Sequence, residues 1–159
     1  MEQMGFRNMD LVDGLLRNGA CNIAYGKGTT LDMAQVVVLS KMARITADWP
    51  LDEKAKKLGM MPRTYTHGWL ALAQDLGMTL PDAMDEITVI AGEPRALKKE
   101  LKAVQRISKT AKKLEQDGLI KCLRKGSAQQ RNNAVWLLTI GTPEENAEVE
   151  KYVRAHMYI

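Results

Sequence analysis

The sequence predicts a mostly α-helical protein with one small antiparallel β-hairpin. Two observations in the C-terminal half carry this prediction. Apolar residues recur at steps of three and four over 94–117, which indicates a long amphipathic helix. Two strand-like apolar runs follow, 119–124 and 134–140, and the polar segment 125–133 joins them as a hairpin tip. With 159 residues, the chain is long enough for one domain with short extensions.

The N-terminal region has the weakest pattern. Residues 10–17 fit a short helix, and glycines punctuate the chain up to a predicted loop near 25–30. We therefore interpret residues 1–30 as an N-terminal arm. Thr30 is the expected N-cap of the next element, because the apolar positions that follow indicate a buried helix over 31–47.

The middle of the chain predicts three shorter helices. Residues 51–58 end at a glycine, and residues 62–76 present a helical apolar face before another glycine. Residues 81–90 form the third, followed by a break and by Pro94, which suits the first turn of the long helix. Acidic side chains cluster in the third segment, where a solvated turn explains them better than catalysis; they are Asp82, Asp85 and Glu86.

The second strand of the hairpin has apolar side chains at consecutive positions. Side chains alternate between the two faces of a strand. We therefore expect either Trp136 and Leu138 or Val135 and Leu137 to face the core, but not both pairs.

Residues 142–159 form a C-terminal extension, predicted to be a helix over 143–156 with acids in its first turn. Its apolar side chains could pair two copies of the chain or pack back onto their own domain, and the sequence favours neither. These side chains are Val149, Tyr152, Val153 and Met157.

Positive charge is concentrated in one part of the sequence. Residues 95–131 contain twelve Lys or Arg and three acids, a net charge of +9. Because the whole chain carries +4, the remainder carries −5. A cationic region on an otherwise acidic molecule is typical of a protein that docks one face on phosphates.

Two adjoining segments resemble winged-helix proteins. Residues 103–120 (AVQRISKTAKKLEQDGLI) are similar to the end of a Ser/Thr- and Arg-rich recognition helix that closes on Leu-Glu-x-x-Gly-Leu-Ile. The following KCLRKGSAQQRNNAVWLL is similar to a basic β-hairpin, the wing. Residues 65–77 (YTHGWLALAQDLG) resemble the middle helix of winged helix-turn-helix proteins carried by phages and plasmids of high-GC Gram-positive bacteria.

This resemblance implies a winged-helix domain over 31–141 that binds double-stranded DNA in a sequence-specific manner. Helices 31–47 and 66–76 would support the recognition helix 94–117 in the major groove, with the wing (residues 119–140) on the flanking backbone. The likeness suggests transcriptional regulation or replication and maintenance of a mobile element. The expected DNA contacts are Lys98, Lys102, Gln105, Arg106, Ser108, Lys109, Lys112, Lys113, Arg124, Lys125, Arg131 and Asn132.

Two alternatives stay open at this point. Residues 51–70 also fit a helix-turn-helix, which would make 62–76 the recognition helix. Its exposed candidates are Arg63, Thr64, Thr66 and His67. The other alternative is a winged-helix module that binds a protein instead of DNA, since a fold does not determine a function.

Other classes of function lack their signatures. No nucleophile, phosphate-loop or zinc-protease motif is present, and the two histidines stand apart from other ligand residues, so we expect no enzyme, metal or cofactor. The two cysteines are distant in sequence and are expected to be plain thiols, as is usual in a reducing cytoplasm. We expect the protein to be cytoplasmic and associated with the nucleoid. No membrane span or secretory signal is visible. Eight aromatic residues are few for a platform that stacks single-stranded bases.

Overall fold

The structure is a computed structural model that describes residues 4–80 and 95–159. It is an α/β protein, about half helical, and two small antiparallel sheets lie in the described residues. The helices are α1 (Phe6–Arg17), α2 (Met33–Arg44), α3 (Glu53–Lys57), α4 (Gly68–Asp75), α5 (Arg95–Gln116) and α6 (Pro143–Met157). The strands are β1 (Asn22–Tyr25), β2 (Gly28–Leu31), β3 (Thr64–Tyr65), β4 (Ile120–Arg124) and β5 (Val135–Leu138).

The long helix α5 packs against α2 and α4. Its buried side chains recur at steps of three and four, so they form one apolar stripe that meets fully buried residues of both neighbours, such as Leu39 and Leu72. The predicted helix over 31–47 and the predicted hairpin are confirmed, and the predicted helix over 94–117 is confirmed from Arg95 onward. A pairing that the sequence did not indicate adds β3 to the hairpin, in the strand order β3-β5-β4.

Both faces of β5 are buried, so the expectation that only one pair of its side chains faces the core is wrong. Leu138 belongs to the core formed with α2, α4 and α5, and Trp136 packs against that core. Val135 and Leu137 face the opposite side and are at most 1% exposed. The physical reason is α6, which covers this second face of the sheet with Val149.

The C-terminal helix α6 therefore packs back onto its own chain. Val149 and Val153 are buried against the sheet, and Tyr152 meets Trp49 edge-on at 5.6 Å between ring centroids. Of the two alternatives left open for this helix, the structure shows the second, and dimerisation through Val149 and Val153 would require α6 to leave the sheet. None of the helices in the described ranges is both long enough and apolar enough to cross a membrane.

The N-terminal region is more ordered than the predicted arm. Helix α1 is longer than the expected segment 10–17, and a hairpin of β1 and β2 replaces the predicted loop near 25–30. Thr30 lies in β2, so the prediction that it caps the next helix is wrong. Asp32 is the N-cap of α2 and accepts hydrogen bonds from the backbone N–H groups of Ala34 and Gln35.

Residues 62–67 are not helical, so the predicted helix 62–76 is wrong in its first part. Arg63 has a left-handed backbone (φ 48°), and residues 64–65 pair with β5. The helix begins at Gly68 instead. The predicted helix 81–90, its acidic cluster and the start at Pro94 lie outside the described residues.

The Asp32 cap makes a pH-dependent contribution to stability. Hydrogen bonds from Gln35 and the charge of Lys113 together hold the pKa of Asp32 below its usual value, against the effect of burial. A carboxylate with a lowered pKa stabilises the folded state above its unfolded pKa, about 3.9, and this contribution is lost as the pH falls through the folded pKa.

We expect Asp32→Ala to lower the free energy of unfolding by about 1 kcal/mol at neutral pH, and by progressively less in acid. Urea unfolding at a series of pH values measures the difference. Asp32→Asn is the control, because its amide oxygen preserves the cap while the charge is removed. A loss from Asp32→Ala that did not change with pH would contradict the role of the charge.

Candidate nucleic-acid interface

Helix α5 has two chemically different faces. The buried face consists of Ala103, Ile107, Thr110, Ala111 and Leu114. The opposite face is exposed and consists of four lysines and one glutamine. We call this exposed face the cationic stripe; its members are Lys98, Lys102, Gln105, Lys109 and Lys112.

The cationic stripe follows from the spacing of its residues. Its members recur at steps of three or four, so they project from the same side of the helix. None of its four lysines makes an ion pair with a residue that the structure describes. These lysine side chains are therefore available to an anionic partner.

Three predicted contacts on α5 lie at the edges of the stripe. Arg106 is exposed, whereas Ser108 is partly buried. Lys113 Nζ lies 3.5 Å from Asp32 Oδ2, at the N-terminus of α2. Lys113 is therefore already engaged with an acid of its own chain, while still about half exposed. The structure brings the other α5 candidates together on one surface.

The tip loop of the β4–β5 hairpin, which is the predicted wing, comprises residues 125–134 and has its own hydrogen bonds. The backbone N–H groups of Ser127 and Asn132 each donate to the other residue's carbonyl, at 2.9 and 3.0 Å. Arg131 has a left-handed backbone (φ 55°), and its N–H donates to the Ala128 carbonyl at 3.3 Å. Lys125, Arg131 and Asn132 are exposed at this tip, as a contact with a flanking phosphate requires.

Arg124 differs from the other candidates of the wing. It is partly buried, and its Nη2 donates to the Asn133 carbonyl at 3.3 Å. A register shift between Cys122 and Arg124 accompanies this contact. The structure thus places Arg124 at the base of the tip loop, where it ties the two ends of the loop together.

A groove opens between the tip loop and the first turn of α4. The sequence did not predict this groove. Its volume is about 420 Å³, and the half-buried indole rings of Trp69 and Trp136 line it with a centroid separation of 5.3 Å. These tryptophans are far apart in the sequence, and only the pairing of β3 with β5 brings α4 beside the wing. No spacing in the sequence could have shown this juxtaposition.

The thiols have no part in this surface. Cys21 is buried and Cys122 is partly buried, and both are free. Burial, together with the charges of Asp117 and Asp32, raises the pKa of Cys21 to about 11. Burial also raises the pKa of Cys122. Both therefore stay protonated near neutral pH and are poor nucleophiles.

Residues 62–67, the start of the alternative recognition helix, present a poor nucleic-acid surface. The Arg63 side chain is 1% exposed, because it lies against Glu145 and Asn8. His67 is exposed but forms an edge contact with the ring of Tyr65. The cationic stripe and the wing tip consequently form the stronger candidate interface.

Comparison of this chain with protein-family models, with curated proteins and with solved structures found no significant match.

Proposed function

We propose that this chain binds double-stranded DNA as a winged helix-turn-helix protein. In this proposal α5 enters the major groove and the wing lies on the flanking sugar-phosphate backbone. The observation that carries the proposal is the cationic stripe, an exposed face of Lys and Gln on the helix that the hairpin follows directly. The resemblance to regulators and replication proteins of mobile elements suggests the biological setting.

The arrangement of the helices supports this role for α5. A recognition helix needs one face held by neighbouring helices and the other free for DNA. Helices α2 and α4 hold the buried face of α5, whereas the cationic stripe is exposed and its lysines make no ion pair with described residues. The stripe is longer than one turn of the helix, so its lysines can follow the phosphates on both sides of a groove.

The residue types on and beside the stripe suggest two roles, binding of phosphates and recognition of bases. Lysines neutralise phosphates without reading sequence, which provides affinity. Gln105 lies within the stripe, between Lys102 and Lys109, and its amide can hydrogen-bond an adenine edge in the major groove. Arg106, at the edge of the stripe, can pair with guanine or phosphate.

Titration of a labelled duplex at several salt concentrations tests the proposal. Binding through phosphates predicts an affinity that falls steeply, as a straight line of log K against log salt, between about 50 and 200 mM. Fluorescence anisotropy with a duplex of about 20 base pairs provides the measurement. Absence of binding at the lowest salt would reject DNA binding in favour of the protein-interaction alternative.

A further inference from the structure

The groove beside the wing contains a stack of aromatic rings. Tyr65 lies almost parallel to Trp69, with ring centroids 5.9 Å apart and an angle of 11° between the planes. Trp136 also contacts Trp69, with a centroid separation of 5.3 Å and a tilt of 36° between the rings. The fold thus gathers three of the chain's eight aromatic residues at one place.

Tyr65 forms the buried end of this group of rings. Tyr65 is 2% exposed, and its hydroxyl donates to the Gly68 carbonyl at 2.6 Å. Burial raises the pKa of Tyr65 to about 12, so the hydroxyl keeps its proton and this hydrogen bond. Trp69 and Trp136 are only partly buried and contribute to the wall of the groove. The groove therefore contains a preformed aromatic surface.

The remaining wall of the groove is polar and cationic. The tip loop contributes Arg131, Asn132 and Asn133, and no acidic residue lies among the described residues that line the groove. The Asn133 amide lies across Gly68, where even an added methyl group would come within 3.1 Å of its oxygen. Glycine at this position lets the wing approach α4 closely enough to form the groove.

We propose that the groove binds an unstacked base of a nucleic-acid strand that leaves the duplex held by α5. This inference rests on the proposed duplex binding and adds a second contact to it. An indole surface stacks any base, and asparagine amides hydrogen-bond base edges. Arg131 lies in the wall of the groove, and Lys125 directly precedes Gly126 of the same wall, so both can complement the charge of adjoining phosphates. The volume of about 420 Å³ lies in the range of small-ligand sites, about 300–1,000 Å³.

The arrangement favours a base over an isolated phosphate. A phosphate site needs converging hydrogen-bond donors and gains nothing from an indole. A base that stacks on an indole removes its apolar face from water, which favours binding. The groove lies between α4, which packs against α5, and the wing, which directly follows α5 in the chain. We therefore expect preference for a junction of duplex and single strand.

Three labelled probes test this inference in one anisotropy experiment. They are a blunt duplex, the same duplex with a short thymidine tail, and the same duplex with a tail of equal length that lacks bases. We expect the thymidine tail to bind about tenfold more tightly than either of the others. Within the Trp136→Leu protein, the thymidine tail should bind no more tightly than the tail without bases.

A spectroscopic readout keeps the test independent of whether Trp136→Leu folds. In Trp49→Phe protein, all tryptophan emission arises from Trp69 and Trp136. Stacking predicts that the thymidine tail quenches this emission more than the blunt duplex or the tail without bases. Equal quenching by all three probes would contradict a stacked base.

The outcomes separate the two proposals. Equal gains from both tails would mean that the groove holds backbone phosphate, which overturns the inference. Equal, salt-sensitive affinity for all three probes also overturns it, while duplex binding by α5 stands. Failure of every probe to bind at low salt rejects both proposals.

Discussion

Replacing Lys102, Lys109 and Lys112 together with glutamine is expected to weaken duplex binding roughly 100-fold at about 0.1 M salt. Each lysine that neutralises a phosphate releases a bound counterion, so the slope of log K against log salt should decrease by about 3. Glutamine is a good helix former, and all three positions are exposed, so the fold should be unaffected. Salt titrations of the variant and the unchanged protein measure both quantities.

A matched control separates the cationic stripe from net charge. Lys27, Lys57 and Lys151 are also exposed but lie outside α5 and the wing. Their triple replacement by glutamine removes the same charge and should change affinity by less than about threefold, through long-range attraction alone. Equal losses from both triple variants would contradict a specific role for the stripe.

Arg63→Met is expected to lower the free energy of unfolding by about 3 kcal/mol. The Arg63 guanidinium lies 2.6 Å from a Glu145 carboxylate oxygen, and its Nε donates to Asn8 Oδ1 at 3.0 Å. Methionine has a similar length but no charge or donor, so Asn8 keeps a buried acceptor without a partner. The midpoint of thermal unfolding should fall by roughly 10 °C, as circular dichroism measures.

The control for Arg63→Met is Glu145→Gln. Glu145 is 36% exposed, and its replacement preserves an acceptor for the guanidinium, so we expect a loss of only about 1 kcal/mol. A loss below about 1 kcal/mol for Arg63→Met would show that the buried network contributes little. Duplex binding by the folded Arg63→Met protein should be unchanged, because Arg63 does not reach the surface.

The Arg63 network explains why the alternative recognition helix could not be judged from sequence. Asn8 lies 55 residues away in the chain, and its amide also donates to the carbonyl groups of Thr46 and Ala47. Arg63 therefore links α1, the end of α2 and α6. A basic residue after a proline suggests an exposed position; only the distant partners make its burial favourable.

The groove between the wing and α4 could not be predicted from the sequence either. The small number of aromatic residues argued against a stacking surface, and that argument treats every aromatic as independent of the others. In the folded chain, the pairing of β3 with β5 brings Tyr65 opposite Trp136, and the first turn of α4 adds Trp69. The amino-acid composition does not show that these three aromatic residues lie close together in the fold.

Local patterns in the sequence determined α5, the hairpin and the cationic stripe, because periodicities of 3.6 and 2 residues act over short distances. Besides the burial of Arg63, the tertiary structure alone decided three features. These are the burial of both faces of β5 under α6, the pairing of Lys113 with Asp32, and the groove between the wing and α4. Each depends on segments far apart in sequence, whose contacts form only when the chain packs into one core.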